Sequence, residues 1–446
     1  MEKNKMTEWR DVKLSDLISI KHGYAFKGEF FSEEETSYIL VTPGNFNIGG
    51  GFKSDKFKWY NGEIPIDYIL KKDDLIVTMT DLSKNGDTLG YSALVPELNG
   101  KMLLHNQRIG LVEIKSQKID KLFLYWLMRT SVYQKSIVNT ASGSTVKHTS
   151  PDRICQFSFS RPPLDIQRKI AGILGALDDK IEVLRAQNKT LEQMAQAVFQ
   201  SWFVDFDIVR AKAAGLPAAD VCKKYHITPD IYDLFPSTFS ADNLPLGWEK
   251  KKLGDMVCNV KENIKAGRET IIKPYVPIDC ISSKTLTLYE SKSGEEAQSS
   301  LISFRQKDIL FGAMRAYFHK VCIAPYEGTT RSTAFVLRPY KQKDLSFSLL
   351  SVFQKNCIDF ASMNSKGSTM PYAVWDHCLS DYQTEASSST IRDAFNNIVE
   401  PYLDKLIENS KQIRTLEQTR DTLLPQLISG KLDVENMTVP SVIDEV

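Results

Sequence analysis

The stretch LGALDDKIEVLRAQNKTLEQMAQAVFQSW, Leu174 to Trp202, decides the architecture. Leu174, Leu177, Ile181, Leu184, Asn188, Leu191, Ala195, Val198 and Trp202 follow one another at intervals of three and four without a break. This is an a/d heptad pattern, and it predicts a helix that pairs with another helix. The intervening positions are mostly polar, among them Asp178, Lys180, Glu182, Arg185 and Lys189. Asn188 occupies a core position, where an amide lowers stability and fixes register.

The register is written a second time, 225 residues later: Thr-Leu-Glu-Gln stands at 190–193 and again at 415–418. Val399, Tyr402, Leu406, Asn409, Ile413, Leu416, Arg420, Leu423 and Leu427 repeat the spacing. Laid antiparallel with Asn188 opposite Asn409, Leu191 meets Leu406, Leu184 meets Ile413, Ile181 meets Leu416 and Leu174 meets Leu423. Every layer then sets an a against a d, and the two amides can satisfy each other. The competing reading is two unrelated amphipathic helices, each packed on its own domain. Each helix is about 29 residues, or ~43 Å long. Pro401, in IRDAFNNIVEPYL, predicts a break or fresh start near Tyr402.

The segments before each helix also correspond. Trp9 opens WRDVKLSDL and Trp248 opens WEKKKLGDM. KKDDLIVTM (Lys71 to Met79) parallels RQKDILFGAM (Arg305 to Met314), each a charged turn leading into a buried strand. QRIGLVEI (Gln107 to Ile114) parallels RSTAFVLRP (Arg331 to Pro339), and SGSTVKH (Ser142 to His148) parallels KGSTMPY (Lys366 to Tyr372). A short helix is expected after Pro162-Pro163 and after Ser387-Ser388-Ser389. Val204 to Leu246 holds Pro217, Pro229, Pro236 and Pro245 and reads as an irregular connector. The order is globule, rod, globule, rod. If the rods lie antiparallel, the globules sit at opposite ends, related by a pseudo-twofold axis. The fold class is α+β: two mixed α/β domains separated by a pair of long antiparallel coiled-coil helices.

At 446 residues, 42% apolar and 25% charged, the chain has the balance of a soluble globular protein of two or three domains. No apolar run is long enough to span a bilayer. MEKNKMTEW lacks the apolar stretch of a signal peptide, and seven scattered cysteines without a CxxC pair predict reduced thiols. A cytoplasmic location is expected. Net charge is only +1, which argues against coating nucleic acid by charge alone. Local excess exists: Lys250 to Arg338 holds 15 Lys and Arg against 9 Asp and Glu, a net of +6. From Met1 to Arg161 the excess is +3, 22 against 19.

Catalytic constellations are missing from the sequence. There is no GxxxxGK[ST], no [DNS]PP[YF], no GxSxG and no HxxxH or HExxH. No metal site and no catalytic residue is expected. Asp178-Asp179 reads as a solvated face, because adjacent helical side chains diverge by about 100°. The two Gly-Ser-Thr loops are the better signal, since such loops can set backbone N–H groups and small hydroxyls against phosphates or base edges. Ser142, Ser144, Thr145, Lys147 and His148 are candidates in one repeat, and Lys366, Ser368, Thr369 and Tyr372 in the other. Lys84, Asn85, Arg108, Arg315, Tyr317 and Arg331 join them as residue types that read bases or bind phosphate. Each can equally be read as a solvated surface residue.

PPLDIQRKIAGILGALDDKI (Pro162 to Ile181), MAQAVFQSWFVDFDIVRAKAAG (Met194 to Gly215), LPLGWE (Leu244 to Glu249) and TLLPQLISGKL (Thr422 to Leu432) resemble the specificity subunits of type I restriction-modification systems. The resemblance implies target recognition domains at 1–161 and 247–388, each reading one half of a split double-stranded DNA sequence. It implies conserved spacer helix regions at 162–204 and 389–434, a connector at 205–246 and a C-terminal tail at 435–446. It further implies no cofactor in this chain. Two methyltransferase subunits would carry S-adenosylmethionine, and two motor-nuclease subunits, where the system restricts, would use ATP and Mg. Other readings are a self-contained DNA methyltransferase or nuclease, which the missing motifs disfavour, and a coiled-coil scaffold without DNA, which leaves two large globules unexplained.

Overall fold

The structure, a computed structural model, describes residues 9–54, 56–298, 300–434 and 437. The opening residues 1–8 and nearly all of the tail at 435–446 lie outside the described residues. The chain divides into two units, Met1–Lys180 with Glu417–Val446, and Ile181–Leu416.

The first unit is closed by its own ends. Strand Arg10–Lys13 pairs antiparallel with Ser158–Arg161. Inside, Ile18–His22, Ile109–Ile114, Leu75–Thr78 and Ser92–Leu94 form a four-stranded antiparallel sheet in that order. A five-stranded sheet adjoins it, in which Met102–His105 runs parallel to Tyr38–Val41. Leu75, Ile76, Val77 and Thr78 are all buried, so this strand is an apolar run rather than an alternating one. Helices Lys121–Leu127 and Ser131–Asn139 cover the sheet. Asp120 and Thr130 cap them by accepting backbone N–H groups.

The second unit repeats the plan. Glu249–Lys252 pairs with Gln383–Ala386. Val257–Asn259, Ala334–Pro339, Ile309–Gly312 and Val321–Ile323 form the matching four-stranded sheet in matching order. Helices Leu345–Phe353 and Lys355–Met363 follow the sheet, as their counterparts do in the first unit. An aromatic knot ties this unit to its long helices: the Phe203 ring lies 4.8 Å from Phe347 and 4.9 Å from Phe395.

The long helices are longer than the heptads alone indicate. The first runs Leu164–Phe199 and the second Ser389–Ile428, 36 and 40 residues, or ~54 and ~60 Å. Among the described residues no separate short helix stands after Pro162-Pro163 or after Ser387-Ser388-Ser389; each expected one is the opening turns of the long helix. Pro401 does not interrupt the second helix. Phe395, Val399, Leu403 and Leu406 are wholly buried on either side of it, and this packing outweighs one lost backbone hydrogen bond. The connector is not irregular either. It holds helices Asp207–Ala213, Ala218–Tyr225 and Pro229–Leu234. Pro217 and Pro229 stand at helix starts, where a missing N–H costs nothing.

Within the second unit the two long helices run antiparallel. Ile181 and Leu184 cluster with Ile413 and, half-buried, Leu416. Next along, Asn409 Nδ2 donates to Asn188 Oδ1 at 2.9 Å, with both residues fully buried. Leu191 packs beside Leu406 in the following cluster. Among the described residues Asn188 Nδ2 and Asn409 Oδ1 have no hydrogen-bond partner, so the amides exchange one hydrogen bond rather than two. Within the first unit, Leu174 shares a core with Leu424 and Leu427, Leu423 is packed against it, and Leu177 is half-buried.

Asn188→Leu leaves the buried Asn409 amide with only its long 3.4 Å contact to Gln187 Oε1 and should lower unfolding stability by about 1–3 kcal/mol in urea titration. Replacing both amides by leucine should restore it, with register less strictly fixed. A double variant less stable than the single one would contradict this account of the layer.

Candidate nucleic-acid interface

In the first unit the chain leaves the central strand at Thr78 and forms a second short strand, Thr80–Asp81, paired antiparallel with Lys147–His148. Thr80 Oγ1 and His148 Nδ1 are 3.1 Å apart. His148 also closes the Gly-Ser-Thr loop: Ser142 N donates to His148 O at 2.9 Å and His148 N to Ser142 O at 2.8 Å. Gly143 takes a φ of +93°, and a Cβ there would lie 2.0 Å from Val146 O. Only glycine fits this turn. Ser144 and Thr145 stand exposed at its tip. Arg108 joins the same edge, because its carbonyl accepts Met79 N at 2.9 Å while its side chain is exposed.

Asp81 organises the neighbouring turn that carries Lys84 and Asn85. Its carboxylate accepts Ser83 N at 2.6 Å, Thr88 Oγ1 at 2.7 Å and the Thr88 N–H. Burial alone would push this carboxyl up. The Ser83 and Thr88 donors outweigh it and hold the group below the usual carboxylate range. Lys84 and Asn85 project outward from the turn, exposed.

The second unit builds the same loop. Lys366 N donates to Tyr372 O at 2.9 Å and Tyr372 N to Lys366 O at 2.8 Å, the same six-residue closure. Gly367 again has a φ of +93°. Met314 bridges to Tyr372, and Arg315 N donates to Pro371 O at 2.7 Å. The Tyr372 hydroxyl donates to Ser332 O, next to Arg331, so Arg315, Arg331, Lys366 and Tyr372 meet at one edge. Ser368 and Thr369 are exposed at the loop tip, and Tyr317 is exposed on the turn after Met314.

Some cations of the second unit are matched: Lys307 to Glu400 and Asp404, Arg338 to Asp308 and Glu262. Lys84, Arg108, Lys147, Arg315, Arg331 and Lys366 make no ion pair with any described residue. Two cationic edges, each with exposed hydroxyls on a rigid turn, suit a polyanion better than a small apolar ligand.

Several important residues escape sequence reasoning. Asp178 is half-buried and paired rather than part of a free solvated face. It bridges Arg129 Nη1 at 2.8 Å and Arg420 Nη1 at 2.6 Å, and Arg129 also reaches Gly49 O at 2.9 Å. Within the first unit this ties both long helices to the globular part. Glu192 does the same work in the second unit, buried and accepting from Thr285 Oγ1 at 2.6 Å and from the Thr287 hydroxyl. Its pKa is raised because burial outweighs those hydrogen bonds. Leu82 and Phe318, both exposed, were also missed. The available signal was an apolar residue inside a polar turn, DLSKNGD, and an aromatic pair in MRAYFHK.

The pattern of the family described as the type I restriction modification DNA specificity domain matches residues 6–193. The specificity subunit of the type I restriction enzyme MjaIX from Methanocaldococcus jannaschii is 26% identical, over 71% of this chain and 70% of that protein. The HindI specificity subunit from Haemophilus influenzae is 27% identical, over 78% of this chain and 87% of that protein. In fold, the chain is similar to the type I restriction-modification S subunit of M. genitalium, with a TM-score of 0.54 at 16% identity, covering 96% and 98% of the two chains. No helix among the described residues is long and apolar enough to cross a membrane.

Asp81→Ala should lower stability at neutral pH by on the order of 1–3 kcal/mol, since it strands buried donors. A depressed carboxyl pKa gives stability that is present above the ordinary value and lost as pH falls through the depressed one. The wild-type advantage over Asp81→Ala should therefore shrink on acidification in urea titrations. A constant gap would show that the carboxylate charge does not hold the turn.

Proposed function

We infer that this chain, which belongs to the family of type I restriction-modification specificity subunits, is the DNA-recognition subunit of such a complex. It is not the catalytic component. The observation that carries the site reading is the pair of matching edges, each with a Gly-Ser-Thr turn and cations without carboxylate partners.

Each globular part, 1–161 and 247–388, reads one half of a bipartite duplex. Lys84, Lys147 and Lys366 contact phosphates and set orientation, while Arg108, Arg315, Arg331 and Asn85 are placed to read base edges, each good bidentate pair discriminating by ~1–3 kcal/mol. Ser144, Thr145, Ser368 and Thr369 bring short hydroxyls and backbone N–H groups close to the duplex. The long helices, paired through the Asn188–Asn409 layer, set the gap between the half-sites. Half-sites about one turn apart, ~34 Å, present their major grooves on the same face. Rods of ~54 and ~60 Å are of the order needed.

Chemistry lies with partners. Two methyltransferase subunits supply S-adenosylmethionine and flip the target adenine from the stack. Two motor-nuclease subunits, using ATP and Mg, extend the assembly where the system restricts. A protein of near-neutral net charge need not clamp the duplex alone if its partners share the phosphate contacts.

Exchanging residues 10–160 for those of another family member should change one half of the methylated sequence and leave the other half as it was. Mapping methylated adenines in cells carrying the chimera reads this directly. A change in both halves would contradict modular recognition.

A further inference from the structure

Both cationic edges carry an exposed apolar or aromatic side chain to which base-edge and phosphate contacts assign no role. In the first unit it is Leu82, 68% exposed, three residues after Met79. In the second it is Tyr317, 53% exposed, three residues after Met314, with Phe318 beside it at 44%. Each follows the central strand of its four-stranded sheet, Leu75–Thr78 or Ile309–Gly312. Each stands beside the Gly-Ser-Thr turn, through the Asp81–Lys147 strand pairing or the Met314–Tyr372 bridge.

Neither is a loose loop tip. The residue before Leu82 is Asp81, whose carboxylate grips the backbone on the far side of the turn at Ser83 and Thr88. Gly86 O, in the same turn, accepts Gln134 Nε2 at 2.8 Å. Tyr317 and Phe318 lie between Arg315 and His319, both with a left-handed φ of +53°. Arg315 is pinned by Pro371 O, and the His319 ring by Phe353 O at 2.8 Å. The two rings sit 4.7 Å apart. Water-exposed apolar groups on such braced turns, flanked by unpaired cations, have the chemistry of a wedge that enters a stacked, polyanionic ligand.

We propose that Leu82 and the Tyr317–Phe318 pair insert between adjacent base pairs, one wedge in each half-site, and unstack a step of the duplex while the neighbouring cations hold its phosphates. This rests on the DNA-recognition reading and adds to it a mechanical role. Local unstacking makes the cost of binding depend on the deformability of the wedged step, so it contributes specificity at positions without base-edge contacts.

The test uses the full chain with its methyltransferase partner and a duplex bearing the mapped target. 2-Aminopurine replaces one base at a time in each half-site, at positions other than the methylated adenine. Wild type should give a severalfold fluorescence rise at one step in each half-site. Leu82→Ala should abolish the rise in one half-site only, and Tyr317→Ala with Phe318→Ala the rise in the other. Leu82→Met and Tyr317→Phe should keep it. All variants should still bind the duplex and the methyltransferase. Binding without any rise in wild type, or a rise that survives in the alanine variants, would overturn the wedge alone. Loss of the methyltransferase from the alanine variants would overturn it too, by marking a protein contact. Failure of the wild-type complex to bind the duplex would overturn both this proposal and the DNA-recognition reading.

Discussion

One buried amide fixes how the long helices meet. Leucines and isoleucines in a heptad seam pack nearly as well after a slip of one repeat, because burial is not directional. The hydrogen bond from Asn409 to Asn188 is directional, and both residues are wholly buried. A slipped pairing would bury each amide against hydrocarbon, with the penalty of an unmet polar group. The register of the pair, and any distance the pair defines, therefore depends on this layer. Around it, Ile181, Leu184 and Ile413 supply adhesion, and Glu192 with the Thr285 and Thr287 hydroxyls attaches the globular part of its unit.

A ruler works only if what it carries is firmly attached. Each unit solves this with a carboxylate on a long helix. In the first, Asp178 is shared between Arg129 and Arg420, and the Arg129 guanidinium also lies 4.4 Å from the Trp126 ring. In the second, Glu192 accepts hydroxyls instead. Removing one partner of such a buried set leaves the others uncompensated, which is why these contacts constrain geometry more than they add stability. The two cationic edges follow the same logic on a smaller scale: Asp81 in one unit, two left-handed residues in the other, each bracing an exposed turn.

The parts legible in the sequence are those whose physics is local or periodic. The heptads, the repeated Thr-Leu-Glu-Gln, the apolar strands Leu75–Thr78 and Ile309–Gly312 and the paired Gly-Ser-Thr stretches all announce themselves by spacing. What stayed hidden depends on contacts far along the chain. Asp178 looked solvated because its partners lie 49 and 242 residues away. Pro401 looked like a break because the local rule ignores the fully buried Phe395, Val399 and Leu403 that hold the helix through it. The prolines of the connector suggested irregularity, yet two of them start helices. Leu82 gave only a faint signal, since exposure of one apolar side chain is a tertiary fact.

The central claim is that helix length sets the spacing of the two half-sites. Seven residues inserted between Lys180 and Ile181, together with seven between Leu416 and Glu417, would lengthen both helices by two turns, ~10 Å. Mapping methylated adenines in cells carrying this variant should then show both half-site sequences unchanged and the gap between them wider by about three base pairs, at ~3.4 Å per pair. Methylation at the original spacing would contradict the claim.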